Sequence, residues 1–244
     1  MKRIVYFILA TFVLTGCAVG QLTTLYTDET SIEENDLRVD AQHRPITGIY
    51  HKYSPKMQLL EEIHYVDGKI DGIYKAYNKK GNIVLMAQYA EGLPHGKTII
   101  YYDNGRENEV LNYDKGKLNG GQTAYFENGD LRQKSSYIKG KKNGVFEEYY
   151  NNGSVKSSVT YRKGKEHGPA RFYTLKNNLI AYTEYVHGMR EGPAFSYYRN
   201  GKPKTLAYRQ NDKLNGIAKE FDENGNLTQL ITYKDNEIVN SVKF

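Results

Sequence analysis

Short apolar runs alternate with polar turn sequences along this chain, and the alternation is strictly periodic. Val145–Tyr150 and Val155–Tyr161 are typical runs, rich in Tyr, Val and Ser. Such runs have strand length and strand composition. Gly48, Gly72, Gly96, Gly120, Gly144, Gly168, Gly192 and Gly216 recur every 24 residues without an insertion. A second series runs Gly68, Gly92, Gly116, Gly140, Gly164 and Gly188, with Asp212 in the next place. A third runs Gly81, Gly105, Gly129, Gly153, Gly201 and Gly225, with Asn177 filling its gap. Two aromatic rows keep the same beat. One is Tyr53, Tyr77, Tyr101, Tyr125, Tyr149, Tyr173, Tyr197 and Phe221; the other is Tyr65, Tyr89, Tyr113, Tyr137, Tyr161, Tyr185 and Tyr233, broken only by Arg209. A fixed period of this kind is the mark of a repeat architecture.

Each period holds two turns. Asn-Gly stands at 104–105, 128–129, 152–153, 200–201 and 224–225, and a second turn is expected to end in Asp71-Gly72, Asn119-Gly120, Asn143-Gly144 and Asn215-Gly216. These pairs supply the positive φ that hairpin turns need, and Asn177 tolerates the same backbone. One repeat is therefore one hairpin. The pattern predicts an all-β fold, an elongated single-layer antiparallel sheet of tandem 24-residue hairpins over residues 45–244, closed by a capping strand. Eight hairpins at about 9.6 Å each would extend for roughly 77 Å. Tyr77, Ile83, Ala87 and Tyr89 share one parity, as do Tyr149, Val155, Val159 and Tyr161. That parity predicts one Tyr-rich seam on one face and a wetter opposite face.

The amino terminus follows different rules. Met1-Lys2-Arg3 is a positive start, Ile4 to Leu14 is apolar, and Leu14-Thr15-Gly16-Cys17 closes the segment. Eleven apolar residues make about 16 Å of helix, half a bilayer core, so residues 1–16 are expected to be a signal peptide rather than a span. The closing tetrad resembles the bacterial lipobox, which implies acylation of Cys17 and cleavage just before it. Cys17 is the sole cysteine, so no thiol remains for a disulfide, a metal or a nucleophile. Without residues 1–16 the chain keeps 32 Lys+Arg (34 − 2) against 28 Asp+Glu, far from a nucleic-acid-binding balance. The expected address is the cell envelope: the outer membrane if the host has two membranes, since Ala18 is not the Asp of an inner-membrane retention signal, and otherwise the outer face of the plasma membrane. Residues 17–44 are polar and acidic and are expected to form a tether, with Leu37, Val39 and Ala41 as a degenerate first strand.

The repeat itself, Gly144-Val145-Phe146-Glu147-Glu148-Tyr149, then Asn152-Gly153, Tyr161 and Gly164-Lys165-Glu166-His167-Gly168, resembles the bacterial variant of the MORN (membrane occupation and recognition nexus) repeat. The resemblance spans about residues 46–235. It implies an extended sheet of hairpins serving as a scaffold or binding surface. Bacterial members are often described as antitoxin components, an alternative role that an exported, lipidated chain departs from.

No catalytic constellation stands out, and neither a cofactor, a metal, a nucleic acid nor a small-molecule substrate is expected. His95 and His167 share a phase, but the spacing would hold them about 29 Å apart, too far for one ion. Their phase-mates Asp71, Asn119, Asn143, Glu191 and Asn215 make a turn position with a left-handed backbone the expected reading. Two surfaces are candidates for binding. The paired aromatics Tyr101-Tyr102, Tyr149-Tyr150 and Tyr197-Tyr198 should each turn one ring away from the seam, toward a protein partner. Lys115, Lys117, Lys139, Lys141, Lys142, Lys163 and Lys165 fall at one turn of three consecutive repeats, a rim suited to anionic lipid or wall polymer. A partner-binding scaffold, held to the membrane by acylated Cys17, is the leading expectation, and the lysine rim is the second.

Overall fold

The structure is a computed structural model that describes residues 25–27, 31–34 and 37–244. The leader, Cys17 and the lipobox lie outside the described residues. All described regular structure is β. Strand β1 (Leu25–Thr27) lies parallel to β4 (Gly48–Tyr53), while β2 (Ser31–Glu34) and β3 (Leu37–Asp40) form a separate hairpin. From β4 the chain is an antiparallel meander: β5 (Leu59–Val66), β6 (Lys69–Tyr77) and β7 (Ile83–Ala90) pair in turn. The same order runs on to the last strand, Glu237–Lys243, giving one open sheet of 21 strands. Tandem hairpins are thus what the 24-residue period encodes.

Two turn types alternate. At Asp67-Gly68 both residues have positive φ, 48° and 75°, the backbone of a type I′ turn that matches strand twist. Lys115-Gly116, Lys139-Gly140 and Lys163-Gly164 repeat it, as do Asn211-Asp212 and Asp235-Asn236 without any glycine. At the opposite edge, Asn78 N–H donates to the Asn82 carbonyl and Gly81 N–H to the Asn78 carbonyl, with Gly81 left-handed at 81°. Asn177 takes that place at 64°, as its tolerance of the region predicts. One expectation is corrected. Asp71, Asn119, Asn143 and their phase-mates do not end a turn, and among the described residues they have no positive φ. Asp71, His95, His167 and Glu191 sit inside a strand and Asn119, Asn143 and Asn215 at a one-residue break between two, each just before a left-handed glycine, such as Gly72 at 104° beside the register shift between Ile63 and Tyr65.

The bulges also correct the single seam. Tyr50 pairs with Ile63, and Tyr65 stands two residues further on, so these share one face, here the front. Tyr53 stands three residues from Tyr50 and belongs to the back face, where its ring meets His51 at 6.0 Å. Beside each such tyrosine one residue is inserted, for example between Lys52–Glu61 and Tyr53–Leu59. Parity therefore does not carry from one strand to the next. The two tyrosine rows lie on opposite faces.

With no second layer, the core is a line of side chains along the middle of the front face. Tyr50, Ile63, Tyr74, Ala87, Thr98 and Leu111 are cross-strand neighbours in sequence, and the line continues through Gln122, Ser135, Phe146, Val159 and Ala170. Ala170 is 0% exposed although nothing packs over the sheet. Taller flanking rings supply the cover: Tyr65 meets Tyr50 edge-on at 6.1 Å, Tyr89 meets Tyr74 at 6.2 Å, and Tyr161 meets Phe146 at 6.0 Å. The first hairpin is closed by segment 37–46. Ile46 is 1% exposed, the Arg38 guanidinium lies 4.0 Å over the Tyr50 ring, and Arg38 N–H donates to the Gly68 carbonyl. A Cβ at Gly68 would meet the Arg38 carbonyl oxygen at 2.9 Å, so that turn needs its glycine. Part of the stretch read as a tether is therefore packed against the array.

Successive type I′ turns are bonded to each other. Gly92 N–H donates to the Ile70 carbonyl, Gly116 to Pro94, Gly140 to Leu118, Gly164 to Lys142 and Gly188 to Glu166. In most repeats the polar residue before the bulge glycine adds a second link. The Asp71 carboxylate accepts from Glu91 N–H at 3.1 Å, the Asn119 side chain from Lys139 N–H at 3.2 Å, and the Glu191 carboxylate from Asn211 N–H at 2.7 Å. That recurring bond, not a left-handed backbone, is why the phase is polar.

Two outcomes follow from this arrangement. Deleting residues 120–143, one whole period, keeps every remaining pairing in phase and should leave a folded β protein by circular dichroism, whereas deleting 120–131 should not. Asn119→Ala removes an inter-turn acceptor and should cost about 1 kcal/mol in chemical denaturation. Lys117→Ala on the same turn should change stability by no more than about 0.5 kcal/mol.

Candidate binding surfaces

The lysine rim is built by the type I′ turns. Lys115, Lys139 and Lys163 occupy the first turn position with φ of 47°, 49° and 52°, which projects them from the sheet edge. Lys117, Lys141 and Lys165 follow each glycine, and the stems of Lys141 and Lys165 lie over the glycine of the next turn, within 3.5 Å and 3.8 Å of where a Cβ would stand. All six are exposed, and none forms an ion pair among the described residues. Lys142 departs from the other six. It is half-buried on the front face, with Nζ 4.0 Å from the Phe146 ring centroid and 5.0 Å from that of Tyr161. The block is bounded: Asp67 and Glu91 hold the first position in earlier turns, and His187, Asn211 and Asp235 hold it in later ones. Ile138, 54% exposed, lies among these lysines and pairs with Lys141.

The paired tyrosines divide by role. Tyr102, Tyr150 and Tyr198 reach forward to the next repeat, donating their hydroxyls to the carbonyls of Tyr125, Tyr173 and Phe221 at 2.8, 2.9 and 2.8 Å. These rings are half-buried and tie neighbouring hairpins together at every second junction along the long-turn edge. Tyr101, Tyr149 and Tyr197 belong to the back-face row. The Tyr149 hydroxyl donates to the Glu147 carboxylate at 2.7 Å; burial, followed by that bond, pushes its pKa up to about 12. Burial, then the Glu107 charge, likewise raises Tyr101.

The middle of the back face changes character along the array. It opens on a charged triad in which Glu62 lies 3.4 Å from His51 and 2.7 Å from Lys75. Burial alone would raise the Glu62 carboxyl, but the Lys75 hydrogen bond and charge, with His51, hold it below its ordinary value. Further along, four side chains fall together that the sequence reading did not single out. Tyr182 pairs with Phe195 and stacks on it at 5.6 Å, Phe195 pairs with Leu206, and Tyr208 stands two residues from Leu206 and is 49% exposed. The sequence does hold a mark of this patch. Phe195 and Tyr208 stand in phases that are polar in most other repeats, such as Lys75, Glu147, Arg171 and Lys219 for the first and Gln88, Asn112 and Glu184 for the second, whereas the phase of Tyr182 and Leu206 also carries Met86, Val110 and Leu230.

His95 and His167 are not brought together. His95 lies 3.4 Å from Asp114, and the His167 ring packs at 5.2 Å against His187, whose N–H it accepts. Among the described residues no cluster of His, Cys, Asp and Glu has the makings of a metal site.

Comparison with known proteins agrees with this architecture. Residues 1–18 match the prokaryotic membrane lipoprotein lipid attachment site, and residues 118–139, 142–163, 190–211 and 214–235 match the MORN repeat variant. No curated protein matches. Among solved structures, a porin-like protein from Bacteroides uniformis is similar at 10% identity with a TM-score of 0.20, over 70% of this chain and 86% of that one. The TcdB2-TccC3-Cdc42 structure is similar at 12% identity with a TM-score of 0.21, over 84% of this chain and 14% of that one. Likeness at this level carries no argument. The two family matches do: the chain is a lipid-anchored protein of the cell envelope built on MORN-variant hairpin repeats.

Proposed function

We propose that this lipoprotein is a non-enzymatic scaffold, held by acylated Cys17, that binds a protein partner on the back face of its sheet. The observation that carries the reading is the patch of Tyr182, Phe195, Leu206 and Tyr208, a cluster of large apolar side chains in the half of the array far from the anchor. Aromatic anchors of this kind dominate protein interfaces. The row of Tyr101, Tyr149 and Tyr197 extends the same face. An anchor at one end and a rigid single-layer array leading away from it suit a module that presents a partner at a set distance from the lipid.

The test is quantitative capture from envelope extract with the parent and with Phe195→Ser/Tyr208→Ser. A protein enriched by the parent should be depleted by about ten-fold or more with the variant, the loss expected for hot-spot rings. Equal capture by both sinks the assignment.

The exposed lysines support a second reading, in which the rim rests on anionic envelope material. Their charges are unpaired, flanked by Ile138, and about 10 Å apart from turn to turn, near the Debye length in ordinary buffer. Each basic residue at an anionic surface contributes about 1 kcal/mol. An anchor-free form from residue 19 onward should sediment with anionic but not neutral vesicles, and less so at high salt. Replacing Lys115, Lys117, Lys139, Lys141, Lys163 and Lys165 by Gln should abolish this, while Lys142→Gln alone should not. Unchanged sedimentation of the six-fold variant would leave the rim as a solvated edge only.

A further inference from the structure

The front face carries a depression of about 410 Å³ between residues 183 and 233, where the array departs from its own pattern in two ways at once. The central line, which earlier mixes Tyr50, Ile63, Tyr74, Leu111, Phe146 and Val159 with the smaller Ala87, Thr98 and Ser135, becomes small without interruption at Ala170, Thr183, Ala194, Ala207 and Ala218 in consecutive strands. The missing volume is the floor of the depression. On one bank the tyrosine row is broken, so that Arg209 stands between Tyr185 and Tyr233. On the other bank Ser196, Thr205 and Glu220 are cross-strand neighbours. A small apolar floor between two rings, with a few polar groups converging on it, is how binding pockets are generally built.

The charges within it are unequal. Arg190 is neutralised by Asp212 at 2.8 Å. Arg209 is half-buried, donates only to the Asp212 carbonyl at 2.8 Å, and forms no ion pair among the described residues. Burial, then the neighbouring Arg190 charge, makes its protonated form less favourable than usual. Glu220, opposite, also has no cationic partner among the described residues. The Thr183 hydroxyl on the floor is the one buried side-chain polar atom without a hydrogen-bond partner among the described residues. A guanidinium held in a partly desolvated groove is suited to a carboxylate. Tyr rings suit the flat apolar faces of a pyranose, and a bank of hydroxyls and a carboxylate suits its hydroxyl groups.

We propose that this depression is a binding site for a carboxylate-bearing saccharide, with Arg209 on the carboxylate, Tyr185 and Tyr233 beside the ring, and Glu220, Thr205 and Ser196 on its hydroxyls. The site is distinct from the partner patch, because Ala194 and Ala207 face the front while Leu206 and Tyr208 face the back; Phe195, which belongs to the patch, also borders the depression. The probe is trigalacturonic acid, with its methyl ester and acetate as controls, titrated into the full-length protein in detergent by calorimetry and saturation-transfer difference NMR. The acid should bind saturably, the ester about ten-fold or more weaker, as expected for loss of a charge-assisted pair, and acetate not measurably. Arg209→Tyr restores the residue that the row carries elsewhere, so it should melt no lower than the parent yet lose the acid. Ala207→Leu refills the floor and should lose it too. Absence of saturable binding by the parent, equal binding of acid and ester, or undiminished binding by a folded Arg209→Tyr protein would each overturn the assignment. None of these results would bear on capture of a partner by the back face.

Discussion

The structure depends on one constraint: a sheet with no second layer must cover its own core. Apolar burial is worth roughly 25 cal/mol per Å², and a bare strand face offers little of it. This chain meets the constraint by setting small and medium side chains in a central line and taller tyrosines beside them. Ala124 and Ala170 are removed from solvent almost completely by that means. Tyrosine serves because its ring can lean inward while its hydroxyl keeps a partner or water. The requirement recurs identically in each hairpin, so the sequence recurs with it. Insertion of even one residue would move a ring to the other face and open the line.

Coupling between hairpins follows from the same geometry. Each hairpin alone would be marginal, and stability comes from neighbours. Beyond the strand ladder, two further sets of bonds join the repeats. At one edge, type I′ turns donate to carbonyls of the preceding turn and accept support from the residue before the bulge glycine. At the other, Tyr102, Tyr150 and Tyr198 reach the following repeat. These edge bonds fix the offset between hairpins and leave both faces of the sheet open. A scaffold of this kind is stiff along its length while presenting side chains on two sides.

Much of this was legible in the sequence. Glycine spacing fixed the hairpin count, the Asn-Gly pairs located one turn, and Asn177 behaved as a left-handed substitute. What failed was parity. Reading Tyr77, Ile83, Ala87 and Tyr89 as one face assumes uninterrupted pleating, and a bulge between Ala76 and Tyr77 breaks it. A bulge has no obligatory residue type on its long side, so its position shows only in the pairing. For the same reason Asn119-Gly120 resembles a turn while lying within an extended segment. Of the lysine rim, Lys115, Lys139 and Lys163 fall in turns and the others in the strands that follow, and Lys142 was not separable from Lys141, because adjacent strand residues point opposite ways and the sequence does not say which.

The binding surfaces were less legible because they are exceptions to the repeat, and a periodic reading favours what conforms. The paired tyrosines drew notice through their regularity, and three of them turned out to be bonded to the next hairpin. Tyr182 and Leu206 share a row of mixed character, Phe195 and Tyr208 stand in two others, and Arg209 reads at first as a flaw in the tyrosine row. In an array whose conforming positions all serve coverage and coupling, conforming residues are already accounted for by stability. Free chemistry has to sit where the pattern is broken without loss of the fold. Residues 182 to 220 contain several such breaks: an unbroken run of small residues along the line, a guanidinium where a ring should be, and Phe195 and Tyr208 in phases that are mostly polar elsewhere. The breaks fall on both faces of the same few strands, so the two proposed sites are separated by one thickness of backbone, and a ligand in the front depression would lie directly behind a partner on the back.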